Sequence, residues 1–263
     1  MTSVALPNAK RALVPKEHGA YAQLAFPMLT VLLTGKLTPA TVALSVAPVA
    51  VFLAHEPMLL VLGQRGTRAL REDGERAKAW LGATSVVALA TGSLGLLALG
   101  STHVWSALPA LAAAVTLAPF IATHREKTVL GETLAAIAMA FAAMPAAMAA
   151  GHSSTTAIAM CGSWALGAIA ATLGVRAVIA AKREQWGLWR RSIGPAGVTA
   201  ATIAAWRLGV LPGWAMASAL PPMALAVAVA ALAPTPKHLK KVGWTLAASS
   251  LASLALLVVL LPR

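Results

Sequence analysis

The chain alternates long apolar runs with short polar segments, most of them basic. A helix needs about 20 apolar residues to cross the hydrocarbon of a bilayer, and fewer where flanking side chains snorkel. On that rule the pattern predicts nine spans, near 20–35, 40–62, 79–99, 105–123, 130–150, 157–181, 195–211, 214–233 and 242–261. The first and seventh are short, and the seventh contains Trp206 and Arg207. Prolines punctuate many spans (Pro27, Pro48, Pro57, Pro119, Pro145 and the pair Pro221-Pro222), and each removes a backbone hydrogen bond and bends its helix. Lys182–Ser192 reads KREQWGLWRRS, with Trp186 and Trp189 on one face, which predicts an interfacial helix on the membrane surface. The expected fold is therefore all-α and polytopic. A cytoplasmic segment, 1–18, precedes a single transmembrane helical domain, 19–263.

Composition agrees with the pattern. Of the 263 residues, 59% are hydrophobic and 11% charged, whereas a soluble domain carries roughly 25% charged residues. Residues 1–16 are polar and basic, with no short apolar core behind them, so no cleaved signal peptide is expected. The single cysteine, Cys161, lies in an apolar run, which excludes a disulfide framework and a cysteine metal site.

Charge sets an orientation. With the N-terminus cytoplasmic, 17 of the 21 cations fall in cytoplasmic segments, and the opposite side holds only Lys36 and Arg263. Arg176 and Arg207 fall inside spans. This split follows the positive-inside rule and predicts a cell (inner or plasma) membrane protein with its C-terminus outside. The net charge of +13 lies in loops beside lipid head groups, which argues against nucleic acid as a partner.

Ionisable groups inside apolar spans are costly and mark candidate sites. His55 and Glu56 lie in the second span, ahead of Arg65 and Arg68. Lys16-Glu17-His18 opens the first span, and His124-Arg125-Glu126-Lys127 links the fourth and fifth, with Glu132 one turn further. Arg176 lies near the end of the sixth, with Lys182 and Arg183 beyond it. All of these fall at cytoplasmic helix ends. Glu56, His55, Glu17 and His18 are the candidate proton-transfer groups. Arg65, Arg68, Arg125, Lys127, Arg176, Lys182 and Arg183 are the candidate anion ligands, since arginine binds phosphate and carboxylate directly. No His-x-x-x-His spacing occurs, so no metal site is expected. Residues 68–76 carry Arg68/Glu72, Arg71/Glu75 and Glu72/Arg76 at helical spacing, a solvated salt-bridged face. His103 and His152 fall in outer loops and are expected to be solvated.

Two resemblances bear on these residues. Pro15-Lys16-Glu17-His18-Gly19-Ala20-Tyr21 resembles the opening signature of the YwiC-like family of bacterial membrane proteins. The nine-helix plan is similar to the UbiA superfamily of intramembrane prenyltransferases. In that comparison His55-Glu56 and Thr67-Arg68 stand at the first aspartate-rich motif, Arg125 and Lys127 at the basic pair, and Arg176 with Lys182-Arg183 at the second motif. Leu59 and Gly63 stand where further aspartates would lie, and the second motif is basic. What the resemblance implies is a UbiA-like bundle holding an anionic-headed lipid or isoprenoid in a cytoplasm-facing cavity, with arginines rather than Mg²⁺ on the head group. The alternatives are a small-anion or metabolite transporter, favoured by the kinked helices, and a noncatalytic respiratory or assembly accessory protein. The sequence specifies neither a cofactor nor an oligomeric state.

Overall fold

The computed structural model describes residues 12–15, 18–184 and 187–262, and among these every regular element is helical. Ten α-helices follow in chain order: α1 (His18–Thr34), α2 (Pro39–Val61), α3 (Thr67–Leu99), α4 (Leu108–Ala122), α5 (Val129–Phe141), α6 (Met144–Ala149), α7 (Ser154–Glu184), α8 (Leu188–Arg207), α9 (Gly213–Leu232) and α10 (Leu239–Leu260).

Among the described residues, seven stretches are long and apolar enough to cross a membrane, with α5 and α6 counting as one. The protein is therefore an all-α polytopic membrane protein. Of the nine predicted spans, the two outside this set are the two the pattern already marks as short. The apolar part of α1, Gly19–Thr34, falls below the required length. Helix α8 carries Arg190, Arg191 and Arg207. It nonetheless lies alongside α7 and α9, with Val198 packed on Ala170, Ala219 and Met223. The predicted interfacial helix over 182–192 does not form as one element. Lys182–Glu184 end α7, and Leu188–Ser192 begin α8.

Helix lengths explain the ends. At 1.5 Å per residue α3 is about 50 Å long, well beyond a hydrocarbon core of about 30 Å. Its charged first turns, with Arg68, Glu72, Asp73, Glu75, Arg76 and Lys78, thus project past the apolar remainder. That projection packs back on the bundle, where Leu13, Leu60 and Ala77 form a small buried cluster.

Helix starts are capped where the sequence supplies a hydroxyl. Thr38 accepts from the Thr41 amide ahead of Pro39, Thr128 from the Gly131 amide, and Ser153 from the Thr156 amide. Within the spans, hydroxyls return to the carbonyl one turn back, as in Thr30 to Phe26, Ser45 to Thr41, Thr202 to Val198 and Ser218 to Ala215. These bonds let polar side chains sit where lipid offers no partner.

One proline breaks a helix outright. Pro145 has no amide hydrogen for the Phe141 carbonyl, and α5 stops at Phe141 with α6 beginning at Met144. Met144 to Met148 are all buried. They join Met28 and Val31 of α1, Met160 and Trp164 of α7, and Leu257 of α10 in the main core. There Trp164 Nε1 donates to Thr30 Oγ1 at 3.0 Å, and its ring stacks on Phe26 with centroids 5.8 Å apart. Lower in the bundle α7 meets α9 backbone to backbone. A Cβ on Gly174 would stand 2.9 Å from the Ala226 carbonyl oxygen, the close approach that glycine permits between membrane helices.

Candidate functional site: two carboxylate–guanidinium clamps at one end

The ends of α2, α4, α7 and α9 and the starts of α3, α5, α8 and α10 share one end of the bundle, called here the basic end. All seven acidic residues among the described ones belong to segments at this end.

Glu56 lies more than one turn inside α2 and is only 6% exposed. After Val61 the chain turns sharply, through Gly63 (φ 74°) and Gly66 (φ 92°). Both angles fall in the left-handed region that glycine enters without a Cβ clash. The turn sends Arg65 back along α2. Its Nε donates to Glu56 Oε1 at 2.9 Å and its Nη2 to Glu56 Oε2 at 2.5 Å. A bidentate fork of this kind is the strong form of the ion pair. In the same turn Gln64 Nε2 donates to the Ile121 carbonyl at 3.0 Å, tying the end of α2 to the end of α4.

Leu13 and Tyr21 both meet one face of α2. Phe52, Glu56 and Leu60 are spaced four residues apart and so line one side of the helix. Leu13 packs on Leu60, and the Tyr21 ring meets Phe52 edge-on at 4.9 Å. Tyr21 also donates its hydroxyl to the Pro15 carbonyl at 2.8 Å. The first and last residues of the Pro15–Tyr21 signature are thereby joined.

The second clamp closes between α5 and α7. Arg176 Nε donates to Glu132 Oε2 at 2.7 Å and Nη2 to Glu132 Oε1 at 2.6 Å. Nη2 also donates to the Lys127 carbonyl. The α4–α5 turn is tight enough for this because residue 131 is glycine. A Cβ there would come within 2.6 Å of the Glu126 carbonyl oxygen.

The structure thus joins the predicted Glu56 with Arg65, and Arg176 with the Lys127 backbone. Arg68 instead bonds Glu72 at 2.7 Å on the exposed face of α3, and Arg125 is exposed on the α4–α5 turn. Along α3, Arg76 also pairs with Asp73 in a part-buried position, and Lys78 pairs with Glu75 on the exposed side. Glu17 lies outside the described residues, as do the side chains of His18, Lys182 and Arg183. His55 is half-buried beside Glu56. The sequence reading noted Glu132 without making it a site residue. The available signal was Arg176 itself, since a cation inside a span needs an acid at similar depth.

Two cavities, of about 310 and about 480 Å³, open at the opposite end. Thr34 lines the first. Its hydroxyl donates to the Thr30 carbonyl at 2.7 Å, so its oxygen is left to accept from His152 Nε2 at 3.1 Å. His152 is therefore half-buried and bonded, not solvated as its loop position suggests. Burial holds its imidazole below the ordinary pKa.

Ion pairs at the helix ends, polar groups returned to their own helix and apolar outer faces define an integral membrane protein of several crossings. The chain belongs to the YwiC-like family: the family described as YwiC-like protein matches residues 14–147. That match takes in the Pro15–Tyr21 signature, the whole Glu56–Arg65 clamp and Glu132, and it ends before Arg176. No curated protein and no solved structure matches the chain.

Two outcomes test this geometry. Removing one partner of a buried pair strands the other, at about 3–5 kcal/mol. Arg65 still reaches water, so Glu56→Gln is expected to cost about 3 kcal/mol or less. The double change Glu56→Gln/Arg65→Gln should cost less than the sum of the single ones. Thermal unfolding of the four proteins in detergent measures this, and additive losses would show that the pair is not coupled. For His152 the folded value lies below the unfolded one. Its stability contribution is thus present above about pH 6.5 and is lost as pH falls from there through the lower folded value. The wild-type melting temperature is expected to drop between about pH 7.5 and 5.5 by more than that of His152→Asn.

Proposed function

We propose that the protein binds an anionic-headed lipid or isoprenoid at its basic end, which faces the cytoplasm. One observation carries this reading. The acids inside apolar spans, Glu56 and Glu132, are each engaged by both nitrogens of an arginine fork. The remaining cations of this end outnumber its remaining acids, and Arg125 stands exposed at the α4–α5 turn with Lys127 two residues on. An amphiphile with a phosphate or carboxylate head supplies the missing negative charge, and its tail is at home beside apolar helix faces. Commitment of Glu56 to Arg65 favours binding over proton transfer as the role of this end.

The proposed topology has nine crossings, with α1 and α8 included. Arg190 and Arg191 sit at one end of α8, and Arg207 lies over the Trp206 ring at the other, 4.9 Å from its centroid. All three lie where long basic side chains reach the head-group layer. The N-terminus is then cytoplasmic and the C-terminus outside.

Lipid extracted from the purified protein is expected to be enriched in one anionic lipid or isoprenoid phosphate over the bulk membrane. The enrichment should fall by several-fold in Arg125→Gln/Lys127→Gln. An extract matching the bulk membrane would remove the proposal. For orientation, an impermeant thiol reagent should label His103→Cys in intact cells and Thr123→Cys only after permeabilisation. The reverse order would invert the topology.

A further inference from the structure

At the end opposite the basic one, the α1–α2 turn is pressed against the α6–α7 turn. A Cβ on Gly35 would collide with the Ala150 Cβ and stand 3.1 Å from His152 Nε2. Glycine at this position is what lets the two turns approach. Two hydrogen bonds span the contact. The Lys36 amide donates to the Ala150 carbonyl at 2.9 Å. His152 Nε2 donates to Thr34 Oγ1 at 3.1 Å, whose own proton goes to the Thr30 carbonyl. The two cavities flank the contact, one lined by Thr34 and Gly35 and the other by Thr38, Met148 and Ala149.

This contact suits a neutral imidazole. The ring makes its bond to Thr34 with the proton on Nε2, and a second proton on Nδ1 would charge a half-buried side chain. The groups around it supply no counter-charge. The α1–α2 turn brings Lys36, whose Cδ would lie 4.0 Å from a Cβ on Gly151. The titratable group across the larger cavity is His103, after the end of α3. Ahead of α7 and in its first turn, Ser153, Thr155 and Thr156 are neutral hydroxyls bonded to one another. Helix α10 offers Val258 and Leu261. The seven described acidic residues all belong to the basic end. Burial accordingly holds the His152 imidazole below its ordinary pKa.

We propose that this contact is an acid-released latch: protonation of His152 frees the α1–α2 turn from the α6–α7 turn and opens the wall between the two cavities. A ring that is harder to protonate in the closed contact than in water favours closure above about pH 6.5. As pH falls from there through the lower closed value, the charged ring gains by moving into solvent, and closure is lost. Met144 and Ala147 remain in the main core, which confines the movement to the turns.

Hydrogen–deuterium exchange of the full-length protein in detergent reads the latch through the Lys36 and His152 amides, which bond the Ala150 and Ala147 carbonyls. After correction for intrinsic rates, peptides over 31–38 and 148–154 are expected to exchange several-fold faster at about pH 5 than at about pH 7.5. Peptides over 52–65, around the Glu56–Arg65 clamp, are expected to keep one rate. His152→Asn retains a side-chain donor for Thr34 but takes no proton, so its outer peptides should lose the acid acceleration. The wild-type comparison stands even where that variant folds poorly. The latch is ruled out by outer peptides that ignore pH or by an acid acceleration that survives in His152→Asn. Equal acceleration over 52–65 rules it out as well, since that is loosening of the whole bundle.

Discussion

Hydrocarbon offers no hydrogen-bond partner, so each polar group drawn into the bilayer must find one within the protein. That constraint is most demanding for the charged groups Glu56 and Arg176, which lie inside apolar helices. Each is met by a partner of opposite charge in a two-nitrogen fork, Glu56 by Arg65 and Arg176 by Glu132. Arginine suits both places because its planar donors match the two carboxylate oxygens and stay charged throughout.

The clamps arrange the basic end. Arg65 reaches Glu56 only because the turn after α2 folds back, and that fold sets where α3 begins. Gln64 is carried by the same turn to the end of α4. Arg176 binds both Glu132 and the Lys127 carbonyl, which ties α7 to the start of α5 and to the α4–α5 turn. With these acids engaged, the excess positive charge is left to the loops and to the starts of α8 and α10. The lipid-binding proposal follows from that distribution of charge rather than from any single residue.

The opposite end is built differently. It is poor in charge and is held by neutral bonds, Thr34 to His152 and the Lys36 amide to the Ala150 carbonyl. The broken α5–α6 helix supplies its centre, with Met144 to Met148 buried among α1, α7 and α10. Two cavities open at this end, the larger of them lined in part by Met148 and Ala149.

The order of the apolar helices, the end at which charge collects and the depth of Glu56 and Arg176 were all determined by the sequence alone. Hydropathy and charge are summed locally along the chain, so neighbours in sequence suffice to read them. The prolines that bend the spans were also legible, but not that Pro145 ends a helix where Pro27, Pro48 and Pro119 stay inside theirs. Only the tertiary structure decided that Glu56 takes Arg65 rather than Arg68, that Arg176 takes Glu132, and that His152 is drawn out of solvent onto Thr34. It also decided that 182–192 divides between α7 and α8. Glu132 and Arg176 are 44 residues apart and His152 and Thr34 are 118 apart. Such partners meet only when helices pack side by side, at distances that no local pattern along the chain encodes.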